Sequence, residues 1–364
     1  LAWVASLGAR HGLSSSALIG SALGRSFALL PVGLNVLQLL GWTAFELVVM
    51  RDGTAAIVRQ LTGLDAAWVP IVATLAWGGL LVALAGGTMT GLVRRFVSRF
   101  GLPLVVVSLC WLSWQFWSRA QAQGFDALWS RPGDGSMSAL SALDLVIAMP
   151  VSWLPLVADY ARYGRAASSA LRGTWLGYAL ANIWCYCLGV LVALTLPSQD
   201  LVTALLLAQG GLLALSLILI DEVDNAYGDA YSGAVSAHSL RPDWSVRRWG
   251  LVLAALCTGL ALVLPMHSLE PFLLLLSSVF VPLFGVILGR LAFGTHAPTL
   301  LAQARVVNAL PVALWLAGIA VYHLAPKVLP GAGSALPALA FSFALAWATR
   351  PKARCATASR SSRS

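Results

Sequence analysis

An acidic stretch at positions 221–232 holds the side chains best suited to chemistry. Four of the chain's 14 acidic residues fall within nine positions, directly after the charge-free run 201–220. That run is about as long as a membrane-spanning helix needs to be. If the helix continues, one face carries the polar residues Asp221, Glu222, Asp224, Asn225, Asp229 and Ser232. The opposite face carries Val223, Ala226 and Ala230, which suit packing.

Two interpretations of this acidic stretch are open. Carboxylates at membrane depth are expensive and usually face a cavity or an ion path, which predicts a binding role. Acids at a helix end that reaches water are harmless, which predicts no function. Further polar residues inside apolar segments elsewhere in the chain favour the first interpretation.

A second polar face occurs in the first full apolar span. Asn35, Gln38, Trp42 and Glu46 recur at i, i+3, i+7 and i+11. This spacing places them within about 80° of one another on a helix. Two amides, an aromatic ring and an acid on one face predict the wall of a polar cavity. The alternative for Asn35 and Gln38 is hydrogen bonding between helices, whereas an ionised Glu46 requires a partner or a ligand.

The span 138–160 contains Pro150 and Pro155, which predict a broken helix. Broken helices at membrane depth are tolerated where they line a cavity, and they mark binding sites in transporters. Trp153 lies between the two prolines, where its flat ring is placed to stack on a ligand. The alternative is a simple proline kink.

Two places are candidate gates. Asp159 follows the predicted break and is spaced to pair with Arg162 or Arg165, either structurally or as a gate. Ser277 and Ser278 precede a proline and a glycine in the span 271–289, a pattern typical of a flexible segment.

The elements that must position these residues are membrane helices. The chain is 59% hydrophobic and only 10% charged, whereas soluble domains are about 25% charged. Charge-free runs predict ten spans at about 27–47, 66–86, 101–118, 138–160, 173–197, 201–225, 249–266, 271–289, 308–326 and 334–349. Residues 1–9 are expected to be the end of an eleventh helix. We expect one transmembrane domain at 1–349 and a basic, disordered tail at 350–364.

The basic residues indicate orientation. Eighteen of the 23 Lys and Arg residues fall in one alternate set of loops and in the tail, and the other five are Arg51, Arg59, Arg119, Arg131 and Lys327. This asymmetry predicts a plasma-membrane protein with a cytoplasmic C-terminus. The net charge of +9 is therefore a topology signal, and nucleic acid is not an expected partner.

Three segments together resemble the nucleobase–cation symport family, which includes cytosine, allantoin and hydantoin permeases. They are the segment from Ser152 to Tyr163, the pair Gly41-Trp42 and the segment from Val281 to Val286. Within that family, the segments from Gly41 to Glu46 and from Asp221 to Ser232 are most similar to hydroxymethylpyrimidine permeases. The resemblance implies a five-plus-five inverted-repeat transporter of twelve helices. This chain is expected to supply helices three to twelve and the end of helix two, with the first helix missing.

The resemblance also implies roles for individual residues. Trp42 and Trp153 correspond to the family's two stacking tryptophans. Glu46 occupies a position that is an amide in several members, and Asp229 occupies the base-binding position of the eighth helix. The family's sodium-coordinating hydroxyl pair corresponds to Val223 and Asp224, where Val223 offers only its carbonyl oxygen.

These residues predict import of a base rich in N–H donors. A carboxylate in place of an amide favours an exocyclic amine and a protonated ring nitrogen over carbonyl groups. We therefore expect uptake of hydroxymethylpyrimidine, a thiamin precursor, or of cytosine, with Gln38 also contacting the base. Coupling to Na⁺ or H⁺ is assigned to Asp224, with Asp221 or Glu222 assisting. The one metal considered is Na⁺ at Asp224, and no cofactor is expected. The protein is expected to be a monomer in the lipid bilayer.

Two alternatives differ in function. A transporter of the same fold for amino acids or other amines fits the fold equally well, although the paired tryptophans disfavour it. An intramembrane prenyltransferase would use the spacing of Asp221 and Asp224 to hold Mg²⁺ and a diphosphate. Such an enzyme needs a second acidic cluster on another helix, which the sequence lacks.

Overall fold

The fold of this chain is all-helical throughout the described residues. The structure is a computed structural model that describes residues 1–87, 99, 101–132, 135, 137–197, 201–263, 270–292, 297–302, 305–329 and 331–350. No strand occurs within these ranges. The part of the predicted tail beyond residue 350 lies outside the described residues.

The helices of the described residues are given in chain order. The first eight are α1 (Ala2–His11), α2 (Ser15–Leu23), α3 (Leu29–Thr62), α4 (Trp68–Ala85), α5 (Leu102–Ala122), α6 (Phe125–Trp129), α7 (Ala139–Val151) and α8 (Val157–Ala161). The next eight are α9 (Ala167–Thr195), α10 (Leu201–Leu206), α11 (Gly211–Leu240), α12 (Val246–Val263), α13 (Glu270–Leu291), α14 (Ala297–Ala302), α15 (Ala309–Val328) and α16 (Ala335–Ala348).

Several of the predicted apolar spans are confirmed as helices, with some different bounds. Among the described helices, α3, α4, α9, α12, α13 and α15 are long and apolar enough to cross a membrane, and α7 and α16 are shorter apolar helices. Helix α3 continues to Thr62, well beyond the predicted end at 47. Arg51 and Asp52 lie beyond the predicted end and form an ion pair within the helix, with 2.7 Å between Arg51 Nε and Asp52 Oδ1.

The predicted span 201–225 is wrong. The chain forms the six-residue α10, turns, and begins α11 only at Gly211. Gly210 at this turn has a φ of 72°, which is the left-handed conformation that glycine adopts readily. The acidic stretch therefore lies in the middle of a 30-residue helix rather than at a helix end.

The described chain divides into two compact units. The first comprises Leu1–Ala28, Met137–Arg172 and the described part of Glu270–Ser364, and the second comprises Leu29–Ser136 and Gly173–Leu269. The first unit therefore contains α7, α8 and α13, and the second contains α3 and α11.

In the first unit, α13 and α16 approach each other closely through small residues. A Cβ added at Gly289 would lie 2.5 Å from Phe343 O and 2.9 Å from Ala346 Cβ. A Cβ at Gly285 would lie 2.9 Å from Ser342 Cβ. Glycine at these two positions allows the backbones to make contact, as is common between membrane helices.

The start of α16 is held by a buried carboxylate on α7. Asp144 accepts hydrogen bonds from the backbone N–H groups of Ser334, at 2.6 Å, and Ala335, at 2.9 Å. These donors have no partner within their own helix, and a negative charge at a helix N-terminus is stabilised by the helix dipole. Asp144 thus ties α7 to α16 within the first unit.

In the second unit, α3 and α11 pack side by side and α4 and α12 pack against them. Val223, Ala226 and Ala230 of α11 are buried in a hydrophobic cluster with Leu47 and Leu215. The face of α11 opposite the acids is therefore the packing face, as its residue types predicted.

Candidate functional site

The polar face of α3 points into the second unit. Asn35, Gln38, Trp42 and Glu46 are all buried, whereas Leu37 is 62% exposed. The Trp42 ring meets the Phe45 ring edge-on, with 6.0 Å between centroids. The four residues therefore share one buried face, as their spacing predicted, and their role as the wall of a polar cavity stays a prediction.

Asn35 and Gln38 form a hydrogen-bonded chain toward α11. Gln38 Nε2 donates to Asn35 Oδ1 at 2.7 Å, and Asn35 Nδ2 donates to Ser236 Oγ at 2.9 Å. Interhelical hydrogen bonding, which was the alternative interpretation, is thus what Asn35 does. The chain fixes the rotation of α3 relative to α11 and so sets the direction in which Trp42 and Glu46 point.

Glu46 is the centre of a buried acidic group. Its side chain is 2% exposed, and its Oε1 accepts a 2.6 Å hydrogen bond from Asn225 Nδ2 on α11. Its other oxygen, Oε2, is buried and accepts no hydrogen bond from the described residues. Asp229 and Glu222 lie close enough to interact electrostatically with Glu46. A buried carboxylate oxygen with unused lone pairs is suited to an N–H donor of a ligand.

The acids of α11 do not share one environment. Asp229 is buried, Asp221 and Glu222 are partly exposed, and Asp224 is exposed. Asp229 and Glu222 therefore accompany Glu46, whereas Asp224, the residue predicted to bind the coupling cation, lies on a different side of the helix from Asp229. No group of three or more His, Cys, Asp or Glu residues arranged to hold a metal ion occurs among the described residues.

The predicted helix break is present in the first unit. Helix α7 contains Pro150 and ends at Val151, turns cover residues 152–156, and α8 begins at Val157. Ser152 Oγ donates to Met149 O at 2.7 Å, which satisfies one carbonyl freed at the break. Trp153 lies in these turns and is partly exposed.

The candidate gate residues are buried in the first unit. Asp159 accepts a 3.0 Å hydrogen bond from Ser15 N at the start of α2, and none of the ion pairs among described residues includes it. Arg162 bonds to the Tyr163 hydroxyl instead, at 2.8 Å. Ser277 and Ser278 lie within the continuous helix α13, where Ser278 Oγ donates to Leu275 O at 2.7 Å.

The partners of the central residues were not among the predicted site residues. Asn225 was placed on the acidic face but was given no role, although it is one turn from both Asp221 and Asp229. Ser236, the partner of Asn35, lies beyond the stretch considered. Asp144 is the one acid inside the apolar span 138–160 before the break. An isolated acid in an apolar span indicates a residue that needs a partner, so the sequence did contain a signal for Asp144.

Comparisons with known proteins agree with this architecture. Residues 1–348 match the family described as permeases for cytosine/purines, uracil, thiamine and allantoin. No curated protein sequence matches the chain.

Two solved structures share the fold. One is Mhp1, a nucleobase-cation-symport-1 family transporter, in a closed conformation with bromovinylhydantoin bound. It matches with a TM-score of 0.76 at 18% identity, over 95% of this chain and 80% of that chain. The other is the inward-facing conformation of Mhp1, with a TM-score of 0.72 at 17% identity, over 95% of this chain and 79% of that chain. At these identities the matches show the fold, and they confirm the predicted fold class.

Proposed function

This chain belongs to the family of permeases for cytosine/purines, uracil, thiamine and allantoin, and we propose that it is a cation-coupled symporter that imports an aminopyrimidine. Membership makes it a polytopic membrane transporter and not an enzyme, so the prenyltransferase alternative is wrong. The proposal goes further in naming the substrate, which is hydroxymethylpyrimidine or cytosine, and the residues that contact it.

The observation that carries the proposal is the state of Glu46. One of its oxygens is held by Asn225, and the other is buried without a hydrogen-bond partner among the described residues. An aminopyrimidine supplies N–H donors from its exocyclic amine and, when protonated, from its ring nitrogen. Such charge-assisted hydrogen bonds are stronger than those between neutral groups. Uracil also has ring N–H groups, but it carries a carbonyl oxygen, which a carboxylate repels, where cytosine carries the exocyclic amine.

The neighbouring residues support a flat ligand beside Glu46. Trp42 lies one helical turn before Glu46 on the same buried face, where its ring offers a stacking surface for the base. Gln38 lies one turn before Trp42 on this face. Asp229 on α11 interacts electrostatically with Glu46. We assign base contact to these four residues. The role of Trp153 as a second stacking residue and the gate roles of Asp159, Ser277 and Ser278 stay predictions.

Uptake by the full-length protein in proteoliposomes tests the proposal. Labelled hydroxymethylpyrimidine and cytosine are expected to be taken up, and excess unlabelled aminopyrimidine is expected to compete, whereas uracil and hydantoin are not. Glu46→Gln is expected to reduce aminopyrimidine uptake at least tenfold, because the amide retains only one acceptor oxygen and adds donors. Glu270→Gln makes the same chemical change at an exposed position and is expected to leave uptake unchanged.

Three results would contradict the proposal. Uptake that Glu46→Gln leaves intact would remove Glu46 from the site. Competition by amino acids or simple amines in place of pyrimidines would support the alternative transporter of the same fold. Competition by uracil equal to that by cytosine would show that the site does not select for the exocyclic amine.

A further inference from the structure

Two buried acids hold the two halves of the broken helix in the first unit. Asp144 lies on α7, nine residues before Trp153, and Asp159 lies on α8, six residues after it. The two side chains are only 5% and 1% exposed. Neither takes part in the ion pairs found among the described residues. A buried carboxylate outside an ion pair needs hydrogen-bond donors from elsewhere in the protein.

Asp144 receives its donors from the start of α16, and both of its oxygens are used. Oδ2 accepts from Ser334 N at 2.6 Å, and Oδ1 accepts from Ala335 N at 2.9 Å. The Ser334 side chain makes no capping hydrogen bond of its own, so Asp144 supplies the cap of this helix. Gly333 permits the close approach, because its φ is 70° and an added Cβ would lie 3.2 Å from each carboxylate oxygen.

Asp159 caps a second helix, but with one oxygen. Its Oδ1 accepts from Ser15 N at the start of α2, at 3.0 Å, while Ser14 Oγ accepts from Ala17 N at 3.2 Å. The N-termini of α2 and α16 both carry the positive end of a helix dipole, which favours a carboxylate. Since α2 and α16 both pack against α13, the two anchoring helices belong to one packed frame within the first unit.

The turns between the two acids do not fix the direction of the helix by themselves. Their hydrogen bonds join residues three or four apart, such as Trp153 N to Pro150 O at 3.2 Å and Val157 N to Trp153 O at 2.9 Å. Pro155 has no N–H to donate, and α8, with five residues, is too short to be stable as an isolated helix. The direction in which Trp153 points therefore depends on how each half is held by the helices around it.

We propose that Asp144 and Asp159 are positioning residues for the substrate: each anchors one half of the broken helix, and together they hold Trp153 in the orientation that stacks on the base. The inference rests on the proposed function and on the stacking role predicted for Trp153. It gives Asp159 a fixed contact with α2, where the sequence predicted a gate. An anchor of this kind acts through its acceptor oxygens, so its response to substitution depends on how many of them it uses.

The concentration dependence of cytosine uptake by the full-length protein in proteoliposomes tests this difference. Asp144→Asn is expected to raise KM about fivefold or more, because an amide offers one acceptor oxygen and turns its NH₂ group toward the second backbone donor. Asp159→Ala, which removes the acceptor, is expected to do the same. Asp159→Asn is expected to stay within about twofold of the wild type, because Asn still accepts from Ser15 N and caps helices as well as Asp. Asp126→Asn, at an exposed acid of α6, is the control.

A double-mutant cycle with Trp153 separates positioning from a purely structural role. Trp153→Ala is expected to raise KM about tenfold or more, because stacking on the base is lost. In the Trp153→Ala background, Asp144→Asn and Asp159→Ala are each expected to add less than about twofold, because the side chain that they position is gone. Thermal unfolding of every variant in detergent is measured alongside. A purely structural role would lower stability and would add the same loss of uptake in both backgrounds.

The remaining outcomes overturn defined statements. Equal KM increases in both backgrounds, or an unchanged KM in Trp153→Ala, would overturn the inference and leave the proposed function standing. A loss in Asp159→Asn equal to that in Asp159→Ala would show that the charge is needed, and would return Asp159 to a gate role. Where Asp144→Asn does not fold, the two Asp159 variants decide the question. Absence of cytosine uptake by the wild type would overturn the proposed function and this inference together.

Discussion

At the residue scale, the proposed selectivity for an aminopyrimidine rests on the environment of Glu46. A carboxylate exposed to water is solvated, but Glu46 is only 2% exposed inside a membrane protein. It therefore needs a hydrogen-bond donor or a ligand. Asn225 satisfies one oxygen and leaves the second available. In the proposed site, the amide acts on the substrate through Glu46, by holding the carboxylate in one orientation.

Removing the Asn225 amide is expected to destabilise the protein. In Asn225→Ala, a buried carboxylate loses its donor, which costs about 1 to 2 kcal/mol between membrane helices. Thermal unfolding of the detergent-solubilised full-length protein measures this loss. Asn182→Ala is the matched control, because Asn182 Nδ2 bonds to Tyr178 O of its own helix. An equal effect of the two substitutions would show that the Glu46–Asn225 hydrogen bond has no special importance.

At the element scale, the two units use different devices to fix their helices. In the second unit, side-chain amides join α3 to α11 through Asn35 and Asn225. In the first unit, α13 and α16 meet through glycines, and Asp144 holds the start of α16. The break between α7 and α8 also arises locally, because Pro150 and Pro155 each lack the backbone N–H that would donate a helical hydrogen bond.

Gly289 is expected to be essential for the packing of α13 on α16. A methyl group there would lie 2.5 Å from Phe343 O and 2.9 Å from Trp347 N, both of which belong to the backbone. Gly289→Ala is therefore expected to lower the free energy of unfolding by about 1 to 3 kcal/mol through overpacking. Unfolding in detergent is the measurement. Gly259→Ala on α12 is the control, because an added Cβ there meets no atom within 4 Å, and it is expected to be neutral or stabilising. Equal losses would contradict the close-packing explanation.

At the scale of the whole molecule, orientation rests on the distribution of basic residues. The five Lys and Arg residues of the poorer loops are expected to lie outside the cell and the rest, with the C-terminus, in the cytoplasm. The loops on either side offer highly exposed test positions, since the Asp65 and Asp243 side chains are 80% and 81% exposed.

Cysteine labelling in intact cells tests this orientation. In a full-length variant without other reactive cysteines, a membrane-impermeant maleimide is expected to label Asp65→Cys and to leave Asp243→Cys unlabelled until the membrane is permeabilised. The reverse pattern would place the C-terminus outside. Labelling of both positions in intact cells would contradict the count of spans between them.

Residue types and spacing were sufficient to predict the class of fold and the inward faces. Apolar runs predicted the approximate positions of several apolar helices, because burying a helical backbone in lipid requires about 20 apolar residues. The spacing of Asn35, Gln38, Trp42 and Glu46 predicted a buried face, because helical periodicity is a local property. The prolines around Trp153 predicted the break for the same reason.

Only the tertiary structure decided which polar groups meet. The turn at Gly210 moved the acidic stretch to the middle of α11, which no count of apolar residues reveals. Which acid faces α3 depends on the rotation of two packed helices, and that rotation is set by contacts 179 residues apart in sequence, such as Asn225 with Glu46. Asp224 and Asp229 were both placed on the polar face of the helix, yet the first is exposed and the second is buried. Local periodicity determines which residues share a face of a helix, whereas long-range packing determines which residues that face contacts.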